Sequence, residues 1–130
     1  MQRIIAFITT LICVSCSKEN SAPENPSTAT TQWMIENVQG PDTGKINDSI
    51  AFLVSWPFAS GCDVLDSFVQ TQQDYEVYVK ALGHTNYGFC SDNAGIKTAT
   101  FYFFATSPGT YKLKFLNPDN SYLLHTIRIQ

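Results

Sequence analysis

The sequence predicts an all-β domain, an antiparallel β-sandwich of about seven strands. Three observations point there. From Trp33 onward, no run places apolar residues at i, i+3, i+4 and i+7 for long enough to make a helix. Short β-branched and aromatic segments instead alternate with a period of two, as strands with one buried face do. Turn formers such as Ser107-Pro108-Gly109 and Asn117-Pro118-Asp119-Asn120 separate these segments.

The expected strands follow in order. WMIENVQ (33–39) comes first and leads into the turn-rich GPDTGKIND (40–48). That turn imitates a phosphate-binding loop, but it is one residue short, lacks the following Ser or Thr and feeds a strand. SIAFLVSWPF (49–58) places Ile50, Phe52, Val54 and Trp56 on one face. LDSFVQTQQ (65–73) has a weaker alternation. YEVYVKAL (75–82) sets Tyr75, Val77 and Val79 against Glu76, Tyr78 and Lys80. IKTATFYFFAT (96–106) is apolar on both faces around residues 101–104. TYKLKFL (110–116) sets Tyr111, Leu113 and Phe115 against Lys112 and Lys114, and SYLLHTIRI (121–129) closes the domain.

Ahead of the strands, residues 1–15 combine Arg3 with an apolar run from Ile4 to Val14 and a small residue, the layout of an export signal too short for a permanent membrane span. The run Cys13-Val14-Ser15-Cys16 resembles the bacterial lipobox, although Cys13 stands where that motif prefers Leu. The resemblance implies that Cys16 is acylated and becomes the mature N-terminus; Cys13 is unsuited, because bulky Ile12 would precede the cut. Residues 17–32 contain no large apolar side chain and are expected to form a flexible tether together with Cys16. Fully extended, it reaches at most about 55 Å. The folded module is then expected over 33–130.

Removal of Arg3 with the signal leaves seven basic residues against eleven acidic ones, a formal charge of about −4. That balance lacks the basic footprint nucleic acid requires. Attachment to a membrane would rest on the N-terminal acyl chains, since no basic amphipathic helix is visible.

With Cys13 set aside and Cys16 acylated, Cys62 and Cys90 remain, and an even pair in an exported chain points to a disulfide. If each strand reverses direction, the second and fourth strands deliver these cysteines to the same end of the sandwich. Three loops would share that end: 58–64, 83–95 and 117–120. They carry Asp63, His84, Asn86, Tyr87, Phe89, Asp92, Asn93 and Asp119, a mix of rigid aromatics and adaptable polar groups suited to binding a protein or glycan. The competing expectation is that Tyr87 and Phe89 fold down over the sandwich mouth.

Other chemistry finds little support. The acidic loop residues lack calcium-loop spacing. His84 and His125 stand alone, outside any zinc-ligand spacing, and His125 shares a strand face with Leu123, Ile127 and Ile129, which marks a partly buried structural histidine. No nucleophile-elbow motif is present. No cofactor or metal is therefore expected, and no catalytic residue is assigned.

The stretch ATFYFFATSPGTYKLKF (99–115) resembles the last strands of bacterial immunoglobulin-like domains, in which a Pro-Gly-Thr-Tyr turn feeds a strand with an inward tyrosine, here Tyr111. The chain as a whole is similar to small lipoproteins of Bacteroidota. These resemblances imply an immunoglobulin-like fold and an outer-membrane, lipid-anchored location. The expected role is a non-enzymatic binding or structural module of the cell envelope. A proteinase inhibitor, or an accessory subunit of an outer-membrane complex docking through the outward sides of Tyr78, Tyr102 and Phe104, are the alternatives.

Overall fold

The structure is a computed structural model that describes residues 29–130. The expected export signal, Cys16 and the expected tether up to residue 28 lie outside the described residues. Among the described residues nine strands form: β1 (Thr31–Trp33), β2 (Asn37–Gln39), β3 (Thr43–Gly44), β4 (Ser49–Phe58), β5 (Asp63–Gln73), β6 (Glu76–Thr85), β7 (Gly95–Phe104), β8 (Gly109–Leu116) and β9 (Tyr122–Ile129). They make two sheets, and among the described residues there is no helix. The all-β sandwich read from the alternation is what the chain forms.

The smaller sheet has the order β2-β4-β7, and the larger runs β5-β6-β8-β9-β3, with β1 continuing the line of β8 along β6. The alternating residues expected to point inward do so. Phe52, Val54, Val77, Val79, Phe103, Leu113, Phe115 and Ile127 have no exposed surface, and Ile50, Trp56, Phe101, Tyr111 and Ile129 join them. Phe52 sits at the centre of a ring cluster, with Phe101 at 6.3 Å, Phe115 at 6.4 Å and the edge of His125 at 5.0 Å. Tyr111 is buried and donates its hydroxyl to Ser107 O at 2.9 Å, which ties the β7–β8 turn to the strand that follows.

The strand count differs from seven for two reasons. Residues 33–39 are not one strand: β1 pairs with β6 in the larger sheet and β2 with β4 in the smaller, so the chain changes sheets at residues 34–36. Ile35 lodges in the core at this crossing, 1 % exposed, and its N–H, lost to both ladders, is taken by Asn117 Oδ1 at 2.8 Å. The turn 40–48 also contains β3, which pairs parallel with Arg128 and Ile129 at the C-terminal end of β9. Thr31 and Gln32, expected at the end of the tether, belong instead to β1.

Nor is the sandwich wholly antiparallel. Between β6 and β8 the chain crosses to the other sheet as β7 and reverses twice, so β6 and β8 run in the same direction where they pair. The faces are also unlike. Outward positions of the larger sheet carry Glu76, Tyr78, Lys80, Lys112, Lys114 and Arg128, and Tyr78 is occupied there by a 2.6 Å bond to Glu76 and the Lys114 ammonium over its ring. Tyr102 and Phe104 project from the smaller sheet on the opposite side, so the three aromatics expected to form one docking patch do not share a surface.

Replacing Phe52 with Ala removes the ring on which the cluster converges. Urea unfolding is expected to show a loss of about 3–5 kcal/mol.

Candidate functional site: the disulfide-clamped loop end

Strands β4 and β5 are joined by residues 59–62, and this tight turn is organised by the first residue of β5. Asp63 is only 4 % exposed, and burying a carboxylate is costly unless donors surround it. Three donors do so. Ala59 N and Ser60 N donate to Oδ2 at 2.8 and 3.1 Å, and the Thr85 hydroxyl donates to Oδ1 at 2.7 Å. The Thr85 bond, then those from Ser60 and Ala59 and the nearby Lys97 charge, outweigh burial and hold its pKa below the ordinary aspartate value. Asp63, expected as a surface ligand, is therefore an internal brace; the buried end of the turn has consumed its acceptors.

The cysteines meet as expected. Cys62 and Cys90 form a disulfide, with Cα atoms 5.4 Å apart and 28 residues of separation. Backbone bonds from Gly61 N to Ser91 O (2.9 Å) and from Asn86 N to Cys62 O (3.0 Å) bind the same two loops on either side of it. Gly61 allows this close approach, because a Cβ there would collide with the Ser91 side chain.

Between these anchors the segment 86–94 carries no regular structure, and its aromatics do not fold down over the mouth. Tyr87 is 82 % exposed and Phe89 wholly so. Gly88 between them has φ +149° with open space around it, so glycine serves backbone conformation here rather than packing. Asp92 and Asn93 are exposed further along the same loop.

His84 is a strand residue rather than a loop residue, because β6 continues to Thr85 and pairs His84 with Val64. Its Nδ1 lies 2.8 Å from the Asp66 carboxylate and its Nε2 2.9 Å from Asn86 Oδ1. Acceptors on both ring nitrogens favour the protonated ring, and the Asp66 bond foremost raises the His84 pKa above the ordinary histidine value. Asp66 reaches it through a β-bulge: the register slips between Leu65 and Ser67, which leaves Asp66 as the extra residue. The bulge is required because Leu65 and Phe68, three apart, both pack on the core. That odd spacing of Leu65 and Phe68 is the signal in the sequence that points to Asp66.

The third expected loop stands apart. Asp119 accepts from Ser121 N (3.0 Å) and from its hydroxyl (2.6 Å), which stabilises its own turn and lowers its pKa. Asn117 and Leu116 bond to Ile35 and Gln32, and no described hydrogen bond or ion pair joins this turn to the cysteine loops. Asp119 thus leaves the candidate surface. Lys97 enters it: from the inner face of β7 its ammonium donates to Asp63 O at 2.6 Å and lies 4.6 Å from the centre of the Phe58 ring. It forms part of the wall of a shallow groove of about 460 Å³ with Trp56, Val64, Leu65 and Ile96. Among the described residues no three His, Cys, Asp or Glu side chains converge as metal ligands. Cys16 lies outside the described residues.

Two outcomes follow. Replacing Cys62 and Cys90 together with Ser should lower stability by about 3–4 kcal/mol in the chain-entropy account, read by urea unfolding with and without reductant. The His84 ring should titrate above 6.5 by NMR, and Asp66→Asn should bring the midpoint down. Because the folded value is raised, its stabilising contribution is complete below 6.5 and lost as pH rises through the folded midpoint. The chain matches no family model, no curated protein and no solved structure.

Proposed function

We propose that the protein is a lipid-anchored module of the bacterial cell envelope that binds a protein partner, without catalysis, through the loop end. The observation that carries this reading is the pair of exposed aromatics, Tyr87 and Phe89, on a segment held by the Cys62–Cys90 disulfide and two backbone hydrogen bonds. Exposed rings are costly to keep in water, and most chains bury them. A loop fixed at both shoulders loses little further entropy on binding, so its rings act as rigid anchors of the kind that dominate interfaces. The Asn86 amide and Asp92 supply polar contacts beside them, while both ring nitrogens of His84 are taken by Asp66 and Asn86.

Lipid anchoring rests on the lipobox-like run ending at Cys16, and the disulfide agrees with an oxidising compartment outside the cytoplasm. One experiment tests both parts. The full chain is produced in a bacterial host, recovered from membranes after crosslinking, and its N-terminus weighed. A diacylglyceryl adduct on Cys16 is expected, with crosslinked partners that Tyr87→Ser/Phe89→Ser loses at least tenfold while its melting is unchanged, as for surface substitutions in general. An unmodified N-terminus removes the anchor from the reading; partners retained by the double variant remove the loop end.

A further inference from the structure

We infer that a second copy of this chain docks on the open edge of β7, joining the two smaller sheets into one continuous sheet around a two-fold axis at Thr100. The inference does not depend on the loop-end reading above. It begins from how the sheet edges are protected. Exposed edges invite pairing, and natural sheets blunt them by shortness, bulges, prolines or charge. Here the terminal strands β2 and β3 have only three residues and two, pairing short parts of β4 and β9, and the terminal strand β5 is broken by the bulge at Asp66. Strand β7 has none of these defences: ten residues pair with β4 in unbroken register, and the strand contains no proline. Its one charge, Lys97, is turned inward over Phe58 and Trp56.

The phase of the free edge follows from two bonds. Asn47 N donates to Ala105 O, so residue 105 faces the β4 side; Glu36 N donates to Ser55 O, so Ser55 faces β2 and its partner Thr98 faces away from β4. In an antiparallel ladder this orientation alternates. Ile96, Thr98, Thr100, Tyr102 and Phe104 therefore turn both N–H and C=O to the open side, with no partner among the described residues.

That edge complements itself. Centred on Thr100, Ile96 lies opposite the second copy's Phe104, Thr98 opposite its Tyr102, and Thr100 opposite its equivalent. Aromatic–β-branched and Thr–Thr pairs of this kind are favourable across strands, and about ten backbone bonds close along the seam. The side chains at these positions are uncharged, as are Asn37, Gln39, Ser49, Ala51, Leu53, Ser55 and Pro57, the outward residues of the neighbouring strands. The two Lys97 ammonium groups would stand roughly 20 Å apart along the seam, too far to repel. The flank of the sandwich is roughly 34 Å long and roughly 20 Å thick, about 700 Å² per copy, near the size of a stable interface.

The test uses the full chain in mild detergent, by crosslinking and sedimentation. The wild type is expected to form a dimer at about 100 µM. Thr100→Lys, which sets two ammonium groups face to face, should weaken it at least tenfold. Thr100→Pro should do the same while leaving the melting temperature close to wild type, because the N–H it removes faces the open edge. A monomeric wild type overturns the inference. So does a dimer that persists in either variant, or a monomer that captures a foreign strand at Thr100.

Discussion

One buried carboxylate holds the loop end to both sheets. Asp63 gathers the β4–β5 turn through Ala59 and Ser60, the end of β6 through Thr85, and β7 through Lys97, which bonds its carbonyl. The smaller sheet supplies β4 and β7, and the larger supplies β5 and β6. Ionised, the group repays its burial with three donors; protonated, it would surrender acceptor capacity that those donors need. Since its pKa is lowered on folding, this support is complete above the ordinary value of 3.8 and lost as pH falls through the folded value. The disulfide at the adjacent Cys62 then fixes a loop whose base is already rigid, which is why the segment beyond it can hold two aromatic rings in solvent without collapsing onto the core.

Regular alternation was legible wherever a strand had one buried face and no interruption. The bounds of β4 agree with the pattern of 49–58, and β8 and β9 begin within one residue of those expected. The change of sheet was not legible. The sheet change at residues 34–36 keeps the two-residue period on either side, so nothing in the local pattern marks it; the N–H it frees at Ile35 is satisfied by the distant Asn117. The weak alternation of 65–73 was the visible trace of the bulge, and once Leu65 and Phe68 are both required inside, Asp66 has to be the surplus residue.

The candidate site was legible in its covalent part and less so in its polar part. Chain direction alone brings Cys62 and Cys90 to one end. The roles of Asp63, His84 and Asp119 depend on where strands stop, and β6 running on to Thr85 converts His84 into a strand residue and Thr85 into the donor that buries Asp63. A residue type that reads as a surface ligand in a loop becomes a structural brace when the strand is extended by two or three positions.

The chain enters the fold at the loop end, since Thr31 pairs with Gly83 near the top of β6. On the proposed anchoring at Cys16, the tether and the exposed rings of Tyr87 and Phe89 therefore leave the sandwich from the same side. Pairing through β7 adds a second constraint, because antiparallel seams send the two loop ends in opposite directions. Both copies reach one bilayer only if the two-fold axis stands along its normal, with the sheets lying flat against the surface. The 14 residues between Cys16 and Thr31 reach at most about 50 Å when extended, which permits this arrangement. It would face the membrane either with the charged outer side of the two larger sheets or with the uncharged side of the joined smaller ones. Repulsion between the acidic chain and anionic headgroups favours the face that carries Lys80, Lys112, Lys114 and Arg128.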